Sequence, residues 1–497
     1  MIDPAIRATF VTTIGIECHV QLKTKTKLFS AVGNDAREAP ANTLVSHIDF
    51  GLPGALPVLN KEAVYLAVKA AFALGTTPER FSKFDRKHYF YPDLPKGYQI
   101  TQFDQPIIGK GAITIDVDGV IRTIGITRAH MEEDAGKSTH PAGKDYSLVD
   151  LNRAGTPLLE IVSEPDMHSS AEAKAYAHEL YLRMRYADVS DANLFYGNMR
   201  FDVNVSVSKT DELGTRTETK NINSFRAVEK VVEYEVSRQI EVLQKGEVIV
   251  QETRGWDDAK QCTFSQRIKE NADDYRYMPD PDLPPIVLDD AYIAAIKAVM
   301  PVMPDEWRVR MSDLGLDKTQ TETLLDNPEL LMVVGDAIDQ KIDQKHIKTI
   351  ANWLTSHVMK HVATGYDLAT RYKMDVNDWL VVAEMVERGD LSSSRAKDLI
   401  DALLFDVSLI DPNASLEQKR RELKQSAIDK DLIQESDEGA IAAVVAQVLA
   451  ENPKAAADVQ SGETKAIGFL VGQVMKLSQG KANPGLAQQL IKKQLAI

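Results

Sequence analysis

The segment Arg128-Ala129-His130-Met131-Glu132-Glu133-Asp134-Ala135-Gly136-Lys137 concentrates three carboxylates, a histidine and two cations within one strand's length. In an extended chain Arg128, His130, Glu132 and Asp134 share a face. Two other segments repeat the pattern. In Ile16-Glu17-Cys18-His19-Val20-Gln21-Leu22 the polar Glu17, His19 and Gln21 oppose four apolar residues. In Arg200–Val207 the residues Arg200, Asp202, Asn204 and Ser206 oppose Phe201, Val203, Val205 and Val207. A weaker case is Leu158–Glu164, where Glu160 and Glu164 lie on one side. An antiparallel sheet with one wet face would show the same alternation. These faces, however, carry His, Asp, Asn, Gln and Arg where a plain solvent face favours Thr, Lys and Glu. Carboxylates gathered on one sheet repel one another unless a cation sits among them. Glu and His donors suit a hard divalent ion, Mg2+ or Mn2+.

Phosphate chemistry would need cations beside that ion. The candidates are Lys87, Lys137, Arg153, Arg200, Lys220, Arg254 and Arg276. Neither a GxxxxGK[ST] loop nor a GxGxxG turn occurs, so a bound nucleotide is expected on a sheet and not on a P-loop. Phe84–Pro95 mixes cations with aromatics and reads either as an aromatic loop packed on the core or as a ligand loop in which Lys87 and a tyrosine contact nucleotide or substrate. Asn152-Arg153-Ala154-Gly155-Thr156-Pro157 reads either as an ordinary turn or as backbone held close to a ligand. Lys220-Asn221-Ile222-Asn223-Ser224 reads as a helix cap or as a phosphate site at a helix N-terminus.

Strands, turns and a few helices are expected in the first half of the chain, with one helix at 61–75. Helices are expected in the second half, where Ile347, Ile350, Leu354 and Val358 line one face and Ser392-Ser393-Ser394 offers an N-cap. Four prolines in Pro279–Pro285 mark a boundary or a fixed strap. The 497 residues suggest roughly three domains, placed at 1–292, 293–345 and 346–497. Only Cys18 and Cys262 occur, which excludes a disulfide framework and a CxxC zinc site. A net charge of -15 argues against coating nucleic acid with the whole surface. Residues 464–497 nevertheless hold Lys465, Lys476, Lys481, Lys492 and Lys493 and no Asp or Glu. They read either as contacts to a phosphate backbone or as a solvated lysine-rich terminus. Gly468 and Gly472, four apart, suggest close helix packing. The N-terminus lacks a signal pattern and the apolar run Ala440–Ala450 is too short to span a bilayer, so a cytoplasmic protein with no membrane partner is expected.

At these residues the chain resembles the B subunit of the aspartyl/glutamyl-tRNA amidotransferase. The resemblance runs through Gly15–Leu22, Gly51–Asn60, Phe90–Pro95, Arg128–Lys137, Asn152–Asp166, Lys220–Phe225, Gln251–Arg254, Asp274–Tyr277 and Gly468–Pro484. It implies an α+β fold: a glutamine-synthetase-like antiparallel-sheet cradle, then a helical linker domain and an all-helical YqeY-like tail. It also implies a reaction. ATP with Mg2+ phosphorylates the side-chain carboxylate of Glu-tRNA(Gln) or Asp-tRNA(Asn). Ammonia from a partner amidase, the glutaminase or A subunit, then forms the amide, in a heterotrimer completed by a small C subunit. The chain has no Ser-rich amidase pattern of its own. On this resemblance Glu17, His19 and Glu133 hold the metal, with Glu132 and Asp202 next in line. Glu133, Lys87, Arg200 and Lys220 are catalytic. Tyr89, Lys137, Arg153, Asn204, Arg254 and Arg276 bind nucleotide or substrate, and the five tail lysines bind tRNA. One departure stands out. Where many relatives carry two cysteine pairs before Gly51, this chain has Ser30, Val32, Ser46 and Asp49. No structural zinc is expected there, even with His47 close by. The alternatives are an acid–ammonia ligase for a free amino acid, which would have no use for the lysine-bearing tail, and a non-catalytic tRNA-binding scaffold.

Overall fold

The computed structural model describes residues 2–268, 275–409, 411–434, 438–461, 464–478 and 482–497. The architecture is α+β, divided into two compact units, Met1–Pro304 and Asp305–Ile497.

After a single helical turn, α1 (Pro4–Arg7), the first unit is built on an eight-stranded sheet. Its order is β13 (Cys262–Ile268), β12 (Glu252–Asp257), β11 (Thr217–Ile222), β10 (Met199–Ser208), β1 (Val11–Gln21), β9 (Pro157–Ser163), β6 (Val120–Glu133) and β5 (Gly111–Val117). Every neighbouring pair is antiparallel except β11 and β12. That one parallel pair needs a crossover, which α4 (Phe225–Gln244) supplies. Ser224 caps α4 by accepting from the Ala227 N–H at 3.1 Å. One face of the sheet is apolar. Ile14, Ile16, Cys18 and Val20 of β1 lie beside Leu159 and Ile161 of β9 and Phe201, Val203 and Val205 of β10, all fully buried. The helices α2 (Lys61–Ala73), α3 (Ser170–Tyr186) and α4 add Leu66, Tyr176, Leu180, Val228, Val232 and Val236 to this core. At about 25 cal/mol per Å² of apolar surface, this layer is what fixes strand register.

Three smaller sheets complete the unit: β14 (Met278–Pro279), β3 (Asp85–His88) and β4 (Tyr98–Thr101); β15 (Ile286–Val287) with β2 (Phe81–Ser82); and β7 (Lys137–Thr139) with β8 (Leu148–Asp150). The proline-rich segment 279–285 is thus a strap whose two ends are pinned by strand pairing to β3 and β2.

The loop that carries Ser30, Val32, Ser46 and Asp49 is organised around a buried ion pair. Lys27, with no exposed surface, reaches Asp49 at 3.1 Å and donates to the Leu44 carbonyl at 2.7 Å. Asp49 also accepts from the Ser46 N–H at 2.8 Å. Burial pulls the Lys27 pKa down, and Asp49 opposes it. His47 is exposed. Gly155 explains the Gly-Thr-Pro turn: at φ +83 a Cβ there would sit 2.6 Å from the Asp49 carboxylate. The group that approaches this backbone closely is Asp49.

The second unit is helical. Ile347, Ile350, Leu354 and Val358 are buried together as the periodicity requires, with a π turn, Leu354–Val358, inserted between Gln344–Trp353 and Met359–Ala363. Ser392 caps Ser393–Phe405. The last four helices form their own core from Ile441, Val445, Leu470, Val474, Leu490 and Ile491. Gly468 and Gly472 do not serve close packing among the described residues, where a Cβ on either would meet nothing within 4 Å. Among the described residues no helix is long and apolar enough to cross a membrane.

Candidate active site

The opposite face of the large sheet is polar, and strand register decides which polar groups meet. Antiparallel pairing sets His19 beside Glu160 on one side and Arg200 on the other, Glu17 beside Asp202, and His130 beside Glu160. Two ligand clusters result.

The first contains His19, Glu132 and Glu160, with His130 completing it. His19 Nε2 lies 3.6 Å from Glu132 and 3.4 Å from Glu160. His130 Nε2 lies 3.7 Å and 3.5 Å from the same two carboxylates. These separations exceed hydrogen-bond lengths and suit atoms arranged about a common cation. Burial alone would depress the His19 pKa, but Glu160, Asp202 and Glu132 outweigh it and push it up to about 9. The proton so held on His19 is the positive charge a metal ion at this cluster would displace, leaving a neutral imidazole to act as ligand. Burial likewise opposes ionisation of Glu160, yet His130, His19 and Lys87 hold it well below the usual carboxylate range. His130 Nδ1 has no hydrogen-bond partner among the described residues.

The second cluster contains Glu17, Asp202 and Glu218, with Asn204 donating to Glu17 at 3.2 Å. Glu17 is pushed up by burial and by the neighbouring Glu160, Glu218 and Asp202, against only Lys220. That is the signature of a carboxylate set short of positive charge, and it fits a divalent ion. Lys220 bridges Asp202 at 2.7 Å and Glu218 at 3.2 Å. Asp202 is held low, its burial outweighed by Lys220 and His19. Glu17 and His19 are two residues apart on β1, about 7 Å along the strand. The clusters are therefore neighbours on one face. A 370 Å³ cavity opens against the second, lined by Gly15, Glu17, Ser163, Asn204, Arg216 and Gln251 among others.

Cations arrive from two directions. Arg200 pairs with Asp134 at 3.2 Å. Lys87, on β3, enters from the small sheet with its ammonium 4.8 Å from the Tyr275 ring centre and 5.9 Å from that of Tyr89. Burial would lower its pKa, but Glu132 and Glu160 raise it. Tyr89 is raised by burial and by Glu132 and Asp134 nearby.

Several expected residues stand elsewhere. Glu133 is not in either cluster. It follows Glu132 on an extended strand and so turns the other way, where it pairs with Lys96 and accepts from the Ile100 N–H at 2.9 Å. Its position makes it an anchor between β6 and β4. Arg254 is committed to Glu235 at 3.1 Å, to Glu252 and to Thr263, beside α4. Arg276 lies over Phe90. Arg153 pairs with Asp134 at 3.3 Å and donates to the carbonyls of Ala135 and Gly136. With Lys137 it lines a separate polar cavity of 700 Å³. In the tail, Lys492 and Lys493 are exposed and Lys493 meets Glu438 at 3.0 Å. Lys476 stands in the last turn of Thr464–Leu477. Lys481 and the Lys465 side chain lie outside the described residues. Sequence reasoning left out three cluster members: His130, Glu160 and Glu218. The first two sat on polar faces already recognised, and only register joins them to His19.

The GatB/GatE catalytic domain family matches residues 12–294, and the GatB domain family matches residues 336–495. The chain is 41% identical over 493 residues to the aspartyl/glutamyl-tRNA(Asn/Gln) amidotransferase B subunit of Carboxydothermus hydrogenoformans, covering 98% of this chain and 99% of that protein. The B subunit of Thioalkalivibrio sulfidiphilus is 44% identical over 490 residues, covering 97% and 99%. That of Brevibacillus brevis is 43% identical over 490 residues, covering 98% and 99%.

Proposed function

Since the chain belongs to the family of aspartyl/glutamyl-tRNA(Asn/Gln) amidotransferase B subunits, we propose that its polar sheet face carries the ATP-dependent step of side-chain amidation on Glu-tRNA(Gln), Asp-tRNA(Asn) or both. The observation that supports this most is the pair of adjacent clusters, each with at least three potential ligands, on one face of the large sheet. The glutamine-synthetase-like character of the cradle, the division at 292 and 345 and the cytoplasmic location belong to the same reading. So do the partners, a glutaminase (the A subunit) with the small C subunit.

The γ-phosphoryl group passes from ATP to a carboxylate oxygen of the aminoacyl side chain. One P–O bond to ADP breaks and one to the carboxylate forms. Ammonia then attacks the carbonyl carbon, phosphate leaves with the C–O bond, and the ammonium proton goes to solvent. Glu17, Asp202 and Glu218, and His19, Glu132 and Glu160, would hold Mg2+ ions. Bound there, Mg2+ would neutralise phosphate oxygens as charge develops on them. Lys220 and Arg200 draw the anionic groups onto the face, each held in place by its own carboxylate. Lys87 contributes a desolvated charge between two aromatic rings, where its interaction with phosphate is strengthened by exclusion of water.

ATP hydrolysis by the assembled complex tests the assignment. ADP release should rise about tenfold or more with misacylated tRNA, and with neither free glutamate nor uncharged tRNA. Equal stimulation by free glutamate would favour the free amino acid ligase and end this reading. The tail makes a second expectation. Lys476→Ala with Lys492→Ala should lower tRNA affinity about tenfold and make the salt dependence shallower by about two charges. Filter binding across a salt series reads both, and an unchanged slope would remove the tail from the tRNA contact.

A further inference from the structure

We propose that His357, His361 and Asp401 of the helical unit form a binding site for a divalent transition-metal ion of the zinc class, separate from the sheet clusters. His357 and His361 are four residues apart along the helical segment 344–363, which places both imidazoles on one side of it. Asp401 meets them from Ser393–Phe405. Both Nε2 atoms point at the same carboxylate oxygen, His357 at 2.6 Å and His361 at 2.8 Å, and the three donor atoms lie within 4.8 Å of one another. The rings stand at 89° with centres 5.2 Å apart, and both Nε2–H groups donate to Asp401; a metal ion would displace those two protons and leave neutral imidazoles with Nδ1 protonated.

The donor set selects the ion. Two neutral imidazoles and one carboxylate carry a single negative charge, and nitrogen donors favour zinc-class ions over Mg2+ or Ca2+. Tetrahedral zinc places donors about 3.3 Å apart. The present N···O pairs, at 2.6 and 2.8 Å, need to open by about 0.5–0.7 Å to admit it. Asp401 can supply that movement, because its side chain is 36% exposed. The histidines are better fixed. The His361 ring packs edge-on against Phe405 at 5.1 Å, and Tyr366 anchors the same turn by donating to the Leu404 carbonyl at 3.1 Å. His357 also lies within the π turn Leu354–Val358. Such turns give up helix regularity to aim a side chain and recur at functional sites. Water or a further ligand would fill the fourth position on the exposed side. Occupancy would clamp the segment 344–363 to Ser393–Phe405 and favour the folded unit by mass action.

Zn2+ is the probe, titrated by calorimetry into the assembled complex with Mg2+ in excess, and Co2+ absorption reports the geometry. The wild type should bind one more equivalent of Zn2+ than His361→Gln, or bind it at least about a hundredfold more tightly. Zn2+ should raise the melting temperature of the wild type further than that of His361→Gln. His346→Gln, at a histidine paired with Glu387, should behave as wild type. Asp401→Asn repeats the comparison should His361→Gln fail to fold. Equal stoichiometry and affinity in wild type and variant would overturn the site and leave a hydrogen-bonded His–Asp–His contact.

Discussion

Glu17→Gln should cut amide formation on misacylated tRNA about a thousandfold, close to 4 kcal/mol of transition-state stabilisation, without loss of the fold. Glutamine keeps the size of the side chain and can still meet Asn204. It removes one anionic ligand from a cluster of three. It also removes a like charge facing Glu160, Glu218 and Asp202, so in the absence of Mg2+ the variant should melt no lower than the wild type. Steady-state amidation, tRNA binding and a thermal melt separate these effects. Activity near the wild-type level would remove Glu17 from the chemistry, and a collapse of tRNA binding would show that the loss was not catalytic.

Asp49→Ala should cost about 3–5 kcal/mol, because it leaves the Lys27 ammonium buried without its paired carboxylate. The Leu44 carbonyl would remain as an acceptor, and a neutral oxygen does not replace a carboxylate. The damage should concentrate in the loop between Leu28 and Leu59, which limited proteolysis detects as new cleavage sites and denaturant titration as a lower midpoint. The double change Lys27→Met with Asp49→Leu should recover most of the stability, since a buried ion pair gives little over an apolar pair of similar volume. If Asp49→Ala unfolds at the wild-type midpoint, the ion pair is not what organises the loop.

Much of this molecule was legible in its sequence because the signals are local. Alternation in β1 and β10 identified both faces of each strand, and Ser224 and Ser392 marked helix starts that the structure keeps. Alternation also separated Glu132 from Glu133, whereas motif likeness pulled Glu133 into the metal set, where its side chain does not point. The joining of His19 to Glu160 was not legible. It depends on pairing across 141 positions of chain, a matter of register and not of spacing. Arg254 shows the converse limit. A cation in a recognisable motif can be consumed by a buried carboxylate, here Glu235, that no local pattern reveals. The π turn was invisible for a similar reason: the buried face of the segment 344–363 reads as ordinary helix on either side of it.

Between β10 and β11 the pairing shifts by one residue, Phe201 opposite Ile222 but Val203 opposite Thr219. Lys220 and Asn221 together oppose Asp202, with Asn221 at φ +60 and its N–H on the Asp202 carboxylate at 2.9 Å. This bulge lets Lys220 face the polar side while Ile222, two positions on, returns to the core. Delete one residue here and that parity inverts: either the isoleucine is thrust among the carboxylates or the lysine into oil. For this short stretch, chain length is as heritable a requirement as any reactive group, and indels should be purged from it more strictly than substitutions.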